Sequence, residues 1–116
     1  MKRWEIMKKL IQTAVLAILV ASSAGLRAAD VKAIYDKECA KCHGADGKGQ
    51  TKMGKQSGAK DYTDAKVQAE FTDEQAMKAI KEGVKVKGKE VMKPVQKLSD
   101  EEINGLVAHI RAFGKK

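Results

Sequence analysis

The chain is poor in the residues from which a small domain usually builds a core. Its 116 residues include one Trp, two Tyr and two Phe, an aromatic content of 4%. There is one proline, Pro94, and there are two cysteines, Cys39 and Cys42, and two histidines, His43 and His109. Each scarcity excludes something. Two cysteines cannot build a multi-disulfide scaffold. The net charge of +8 comes with no set of stacking aromatics and no nucleic-acid-binding motif, so nucleic acid is not an expected partner. No apolar run approaches the roughly 20 residues of a bilayer-spanning helix; the longest, Leu10 to Ala21, is interrupted by Gln12 and Thr13. A chain of this length forms one domain, and with so few aromatics it calls for a staple or a cofactor to complete its interior.

Both cysteines fall in one pentapeptide, Cys39-Ala40-Lys41-Cys42-His43. The C-x-x-C-H spacing is that of covalent c-type haem attachment. One helical turn separates the thiols by about the distance between two porphyrin vinyl groups. Each can then become a thioether, and His43 follows as an axial ligand to the iron. Two other chemistries fit part of the pattern. A redox disulfide of the thioredoxin kind requires β-α-β patterning around it, and none is visible. A structural zinc site needs four ligands and would draw on His109 or on carboxylates to close its shell.

The first residues carry a different signal. Lys2, Arg3, Lys8 and Lys9 precede the apolar run, and Ser22, Ser23, Ala24 and Gly25 follow it. A basic start, an apolar middle and small residues at the end describe a secretory signal peptide. Cleavage could follow Ala24 or Ala28. The second is preferred, giving a leader over 1–28 and a domain over 29–116, and an uncleaved anchor is the competing reading. Removing residues 1–28 takes away five of the 23 basic side chains and one of the 15 acidic ones, so the charge falls from +8 to +4. The expected compartment is the periplasm.

Along the domain, the spacing of Val31, Ile34 and Tyr35 predicts a helix over 31–42 with Asp30 as N-cap and Gly44 as its stop. Residues 44–57, rich in Gly and Lys, read as a loop that could wrap an edge of the haem. A turn at Asp61-Tyr62-Thr63 and a short helix over 64–70 follow. Thr72 and Gln75 form a capping box for a helix over 73–82. Residues 84–97 read as an extended, lysine-rich loop; the alternation of Val84 and Val86 with lysines is a weak strand signal with no partner elsewhere. Ser99 and Glu102 form a second capping box. It opens a helix over 100–113 whose apolar face is Ile103, Leu106, Val107, Ile110 and Phe113.

An electron carrier needs a second axial ligand, and Met53, Met77, Met92 and His109 are the candidates. Met77 lies on an apolar helix face and reads as core. His109 reads as a packing or surface residue. Met92 is preferred, with Met53 second, because its segment can cross the far face of the haem and is restrained by Pro94 and the strong last helix.

With C-x-x-C-H closing a first helix, a Met-Lys-Pro segment and a final Leu-Ser-Asp-Glu-Glu-Ile helix, the chain resembles the small class I c-type cytochromes over about residues 30–114. More narrowly, it resembles the single-haem bacterial ones exported to the periplasm. The resemblance implies an all-α fold in which the first and last helices pack around one haem c held by Cys39, Cys42, His43 and Met92. It implies a monomeric one-electron carrier, not an enzyme. Lys93 between Met92 and Pro94, and His109 where an aromatic usually packs toward the first helix, are departures from the family pattern. Lys48, Lys52, Lys55, Lys85, Lys87, Lys89 and Lys93 would form a positive rim for an acidic redox partner, and membrane complexes are possible donors or acceptors. The rival is a haem enzyme or gas binder with an open sixth position, against which stands the lack of any distal acid–base pair.

Overall fold

The computed structural model describes residues 3–7 and 26–115. Most of the expected leader lies outside the described residues. Residues 3–7 are helical. The domain then runs α1 (Ala28–Glu38), α2 (Ala40–His43), α3 (Lys52–Ser57), α4 (Ala65–Ala69), α5 (Asp73–Glu82), β1 (Val84–Val86), β2 (Lys89–Met92) and α6 (Asp100–Phe113).

The last helix is the most legible element and does the most packing. Its capping box is complete: the Glu102 amide donates to Ser99 Oγ at 3.1 Å, and the Ser99 amide to Glu102 Oε1 at 2.9 Å. The predicted stripe Ile103, Leu106, Val107, Ile110 and Phe113 is buried throughout. Val31 and Tyr35 of α1, Cys39, and Ile80 of α5 complete the core. Leu106 and Tyr35 are fully buried. Burying an aliphatic side chain of this kind is worth about 1.5–3 kcal/mol, so α6 supplies most of the apolar stabilisation among the described residues. Close approach of α1 and α6 depends on Gly105, where a Cβ would stand 2.7 Å from Val31 Cγ2. A mid-helix glycine costs about 1 kcal/mol in propensity; here it lets two helices meet.

The helix α5 begins at the predicted capping box, with the Gln75 amide on Thr72 Oγ1 at 3.1 Å and the Thr72 amide on Gln75 Oε1 at 2.9 Å. The short helix α4 is capped by Asp64, whose carboxylate accepts from the Lys66 amide at 2.9 Å.

Four expectations require correction. The first helix starts at Ala28 with Arg27 as N-cap, making no side-chain cap bond, and not at Asp30. The Arg27 carbonyl receives the amides of Asp30 and Val31, and Asp30 is left to complement the helix dipole from the first turn. Second, the predicted helix over 31–42 is two pieces, broken at Cys39. Third, the glycine-rich loop contains α3. Thr51 caps it, and Gly58, with φ 73°, closes it in the left-handed region; with no apolar periodicity to bury, it gives no pattern to detect. Fourth, residues 84–92 form an antiparallel hairpin. The partner strand sits within the same segment. Its turn is Lys87-Gly88, with φ 53° and 78°. Two successive positive φ values fit a type I′ turn, which Asn-Gly would have announced and Lys-Gly does not.

Arg111, in the last turn of α6, is the tie between α6 and residues 68–73. Its Nε donates to Asp73 Oδ1 at 2.8 Å and its Nη2 to the Phe71 carbonyl at 2.8 Å. Its Nη1 reaches both the carbonyl and the side-chain oxygen of Gln68. The guanidinium also lies 4.2 Å from the centre of the Phe71 ring. Gln68 in turn donates to the carbonyls of Tyr62 and Ile110. Replacing Arg111 by Met should lower unfolding stability by about 2–3 kcal/mol, from lost charge-assisted bonds and two abandoned carbonyls. Arg111→Lys should recover little of it, because an ammonium cannot serve this fork. A lowered urea midpoint at unchanged slope checks both.

Candidate cofactor site

The pentapeptide sits at the junction of α1 and α2, and the break at Cys39 shapes it. The Cys39 amide still donates to Tyr35 at 2.8 Å, ending α1, while its carbonyl accepts from the His43 amide at 3.0 Å, opening α2. Gly44 follows with φ 81°. This is the left-handed region that glycine enters freely, and it turns the chain away directly after His43.

Tyr35, marked in the sequence only by its helical spacing, and Thr51 then fix this backbone. Tyr35 Oη donates to the Gly44 carbonyl at 2.7 Å, within the core. Thr51 Oγ1 lies 2.7 Å from the Lys41 carbonyl and 2.9 Å from that of Cys42, and accepts the Gly54 amide at 2.9 Å. Thr51 thus caps α3 and binds it to the motif. The fit is tight: a Cβ on Gly54 would lie 2.1 Å from the Cys42 carbonyl oxygen. The only clue in sequence was the glycine itself, since Thr51 has no acid three residues on to announce a cap.

Cys39 is buried and Cys42 half-buried, and both are free thiols. Burial, followed by the charge of Glu38 and then Cys42, pushes the Cys39 thiol up to about 11, so it stays protonated. His43 is half-buried, and burial lowers its pKa below the usual histidine range, favouring the neutral imidazole that a metal ligand must be. The ring of Tyr62 lies 5.2 Å from it. Nδ1 of His43 is buried without a hydrogen-bond partner. An orphaned buried nitrogen is rare and costly. Two free thiols at haem-attachment spacing beside a neutral, half-buried imidazole are the donor set that a bound iron porphyrin would complete. Among the described residues no three His, Cys, Asp or Glu side chains gather to hold a metal ion, which leaves the zinc alternative without support.

The family model for cytochrome c matches residues 28–113. The chain belongs to the cytochrome c family. Its fold also matches the solved structure of the KustC0563 c-type cytochrome at TM-score 0.63 and 37% identity, covering 71% of this chain and 94% of that one. No curated protein matches it. As a cytochrome c it binds haem c covalently through a family mode of attachment, and electron carriage is the family's general role. The α-helical expectation stands, with the small hairpin as an addition.

The candidates for the second axial position are dispersed. Met53, on α3, is 41% exposed. Met77, on α5, and Met92, at the end of β2, are both half-buried against the core that contains Cys39. His109 stacks 4.7 Å from Tyr35 and 5.1 Å from Phe113, so it packs toward the first helix in place of an aromatic.

The contact between α3 and the motif is directly testable. Gly54→Ala should sharply reduce the fraction of chains carrying thioether-linked haem, measured by haem staining on a denaturing gel against total protein. Gly58→Ala, where a Cβ meets nothing within 4 Å, should leave that fraction near wild type.

Proposed function

We propose that this cytochrome c is a soluble, monomeric one-electron carrier of the periplasm, not an enzyme, with haem c linked to Cys39 and Cys42 and its iron held between His43 and Met92. The observation that carries the choice of Met92 is the fixing of its backbone. Met92 pairs with Val84, and three residues later the Val95 amide donates to the Ile80 carbonyl at 2.8 Å. A ligand held at both ends undergoes little rearrangement when the charge of its metal changes. Its rivals are less suited: Met53 faces solvent, His109 is engaged in ring packing, and Met77 serves the apolar face of α5.

When bound, haem supplies the redox centre, its iron alternating between ferric and ferrous. The protein does the rest. Thioethers at Cys39 and Cys42 would fasten the group to a short helix that Thr51 and Tyr35 hold in place. The neutral His43 imidazole is kept from bulk water beside Tyr62. A methionine thioether in place of a second imidazole favours the reduced state and raises the potential. Lys48, Lys52, Lys55, Lys85, Lys87, Lys89 and Lys93 are all exposed. The salt bridges among the described residues engage other lysines, namely Lys32, Lys60, Lys78 and Lys81. This supports docking to an acidic redox partner. Export rests on the basic start, apolar run and small residues of the first 28 positions.

Two measurements test the reading. The ferric protein should show the weak near-infrared band of methionine-ligated haem, and Met92→Ala should abolish it and lower the reduction potential. A high-spin resting protein that binds CO readily with Met92 intact would instead establish the open-site alternative. The second-order rate of electron exchange with an acidic redox protein should fall steeply as ionic strength rises through the range where the Debye length drops below about 10 Å. A flat response would remove the lysine rim from the mechanism.

A further inference from the structure

The hairpin carries an irregularity beside Met92. Val86 pairs with Lys89 and Lys85 with Glu90, yet Val84 pairs with Met92. Val91 is therefore an extra residue in β2, a β-bulge. Side chains alternate between the two faces of a strand, so one inserted residue exchanges the faces of everything beyond it. Met92 is the first residue beyond. Of the neighbours Val91 and Met92, it is Met92 that packs against the buried core.

A second feature lies opposite. Gly83 ends α5 with φ 78° and ψ −178°. A Cβ there would stand 2.6 Å from the Met92 carbonyl oxygen and 3.0 Å from both N and Cδ of Pro94. The chain leaving β2 thus passes directly over the bare Cα of Gly83. Just past this crossing, the Val95 amide fastens the chain to Ile80. Neither the backbone oxygen nor the proline ring is a flexible side-chain end that could swing aside, so any side chain at 83 displaces residues 92–94 as a unit.

We propose that Gly83 and the bulge residue Val91 are positioning residues for the second axial ligand: the bulge selects the face from which Met92 projects, and the bare Gly83 sets how closely its backbone approaches the end of α5. The proposal rests on the assignment of Met92 as that ligand. Gly58 provides a control for a positive-φ glycine without the crossing, since its φ is 73° and nothing lies within 4 Å of its Cβ direction. Gly83, with ψ −178°, also occupies a region that only glycine enters freely, whereas Gly58, with ψ 31°, is left-handed helical; the Val91 deletion adds no side chain at 83 and separates this strain from the positioning of Met92.

The test uses holoprotein of five kinds: wild type, Gly83→Ala, a deletion of Val91, Gly58→Ala and Met92→Ala. Covalent haem is confirmed by staining and helix content by far-UV circular dichroism, and the near-infrared band and reduction potential are read. Gly58→Ala should keep both at wild-type values. Gly83→Ala and the Val91 deletion should lose the band and shift the potential down toward that of Met92→Ala, with haem still attached. The proposal is overturned if both variants keep the wild-type band and potential while Met92→Ala loses them. Failure of the Met92 assignment looks different, because Met92→Ala itself would then retain the wild-type band. Where Gly83→Ala does not fold, the Val91 deletion decides by the same readouts. Failure of both to fold would overturn the positioning role and make the hairpin a requirement for folding.

Discussion

The hydrogen bond from Tyr35 Oη to the Gly44 carbonyl fastens the turn after His43 to the buried core. Tyr35 is wholly buried. Its ring packs against His109 and against Phe113 at 5.5 Å, which makes it the centre of the α1–α6 pair. Its hydroxyl ends on the turn directly after His43. Burial pushes the pKa of that phenol well above the usual range, so it remains a donor at any pH the protein meets. The pentapeptide is thereby fastened to the helix pair that carries most of the core. The pentapeptide needs such support because α2 has a single turn and buries none of its own residues.

The scarcity of aromatic residues explains how the rest is arranged. Tyr35 and Phe113 serve the helix crossing. Tyr62 stands between His43 and the Phe71 ring, 5.8 Å away, and Phe71 receives Arg111. Two short chains of rings thus lead outward from the motif, one through each tyrosine, and both end on α6. With so few large side chains, the protein relies on close backbone approach elsewhere. Gly105 admits Val31, Gly54 admits Cys42, and Gly47, whose Cβ would meet the Phe113 ring at 2.6 Å, admits that ring.

The parts of this arrangement that were legible in the sequence share one property: local signals agreed with one another. At α6 the capping box, the apolar stripe and the terminal charges all point to one helix. The pentapeptide carries its chemistry in its spacing. What escaped depends on partners distant in the chain or on backbone torsions. The helix α3 buries no apolar stripe and is stabilised by Thr51 on the carbonyls of Lys41 and Cys42, contacts ten and nine positions away. The hairpin turns on a lysine in a conformation that usually selects Asn or Gly. Nothing local marks Arg111 as more than a cation in the last turn of a helix, because its partners lie some forty residues earlier. The orphaned Nδ1 of His43 depends on how the surrounding loops fold, and no spacing rule reports that.

Arg111 also shows how unevenly this fold distributes evolutionary freedom. Two of its acceptors are main-chain oxygens, those of Gln68 and Phe71, and every residue type supplies one. Ala69 and Glu70, exposed between them, can drift without removing an acceptor, provided the backbone keeps its course. The donor has no such latitude, since only a guanidinium reaches all of these oxygens at once. Divergence among relatives is therefore expected to accumulate on the receiving segment while the single arginine stays fixed.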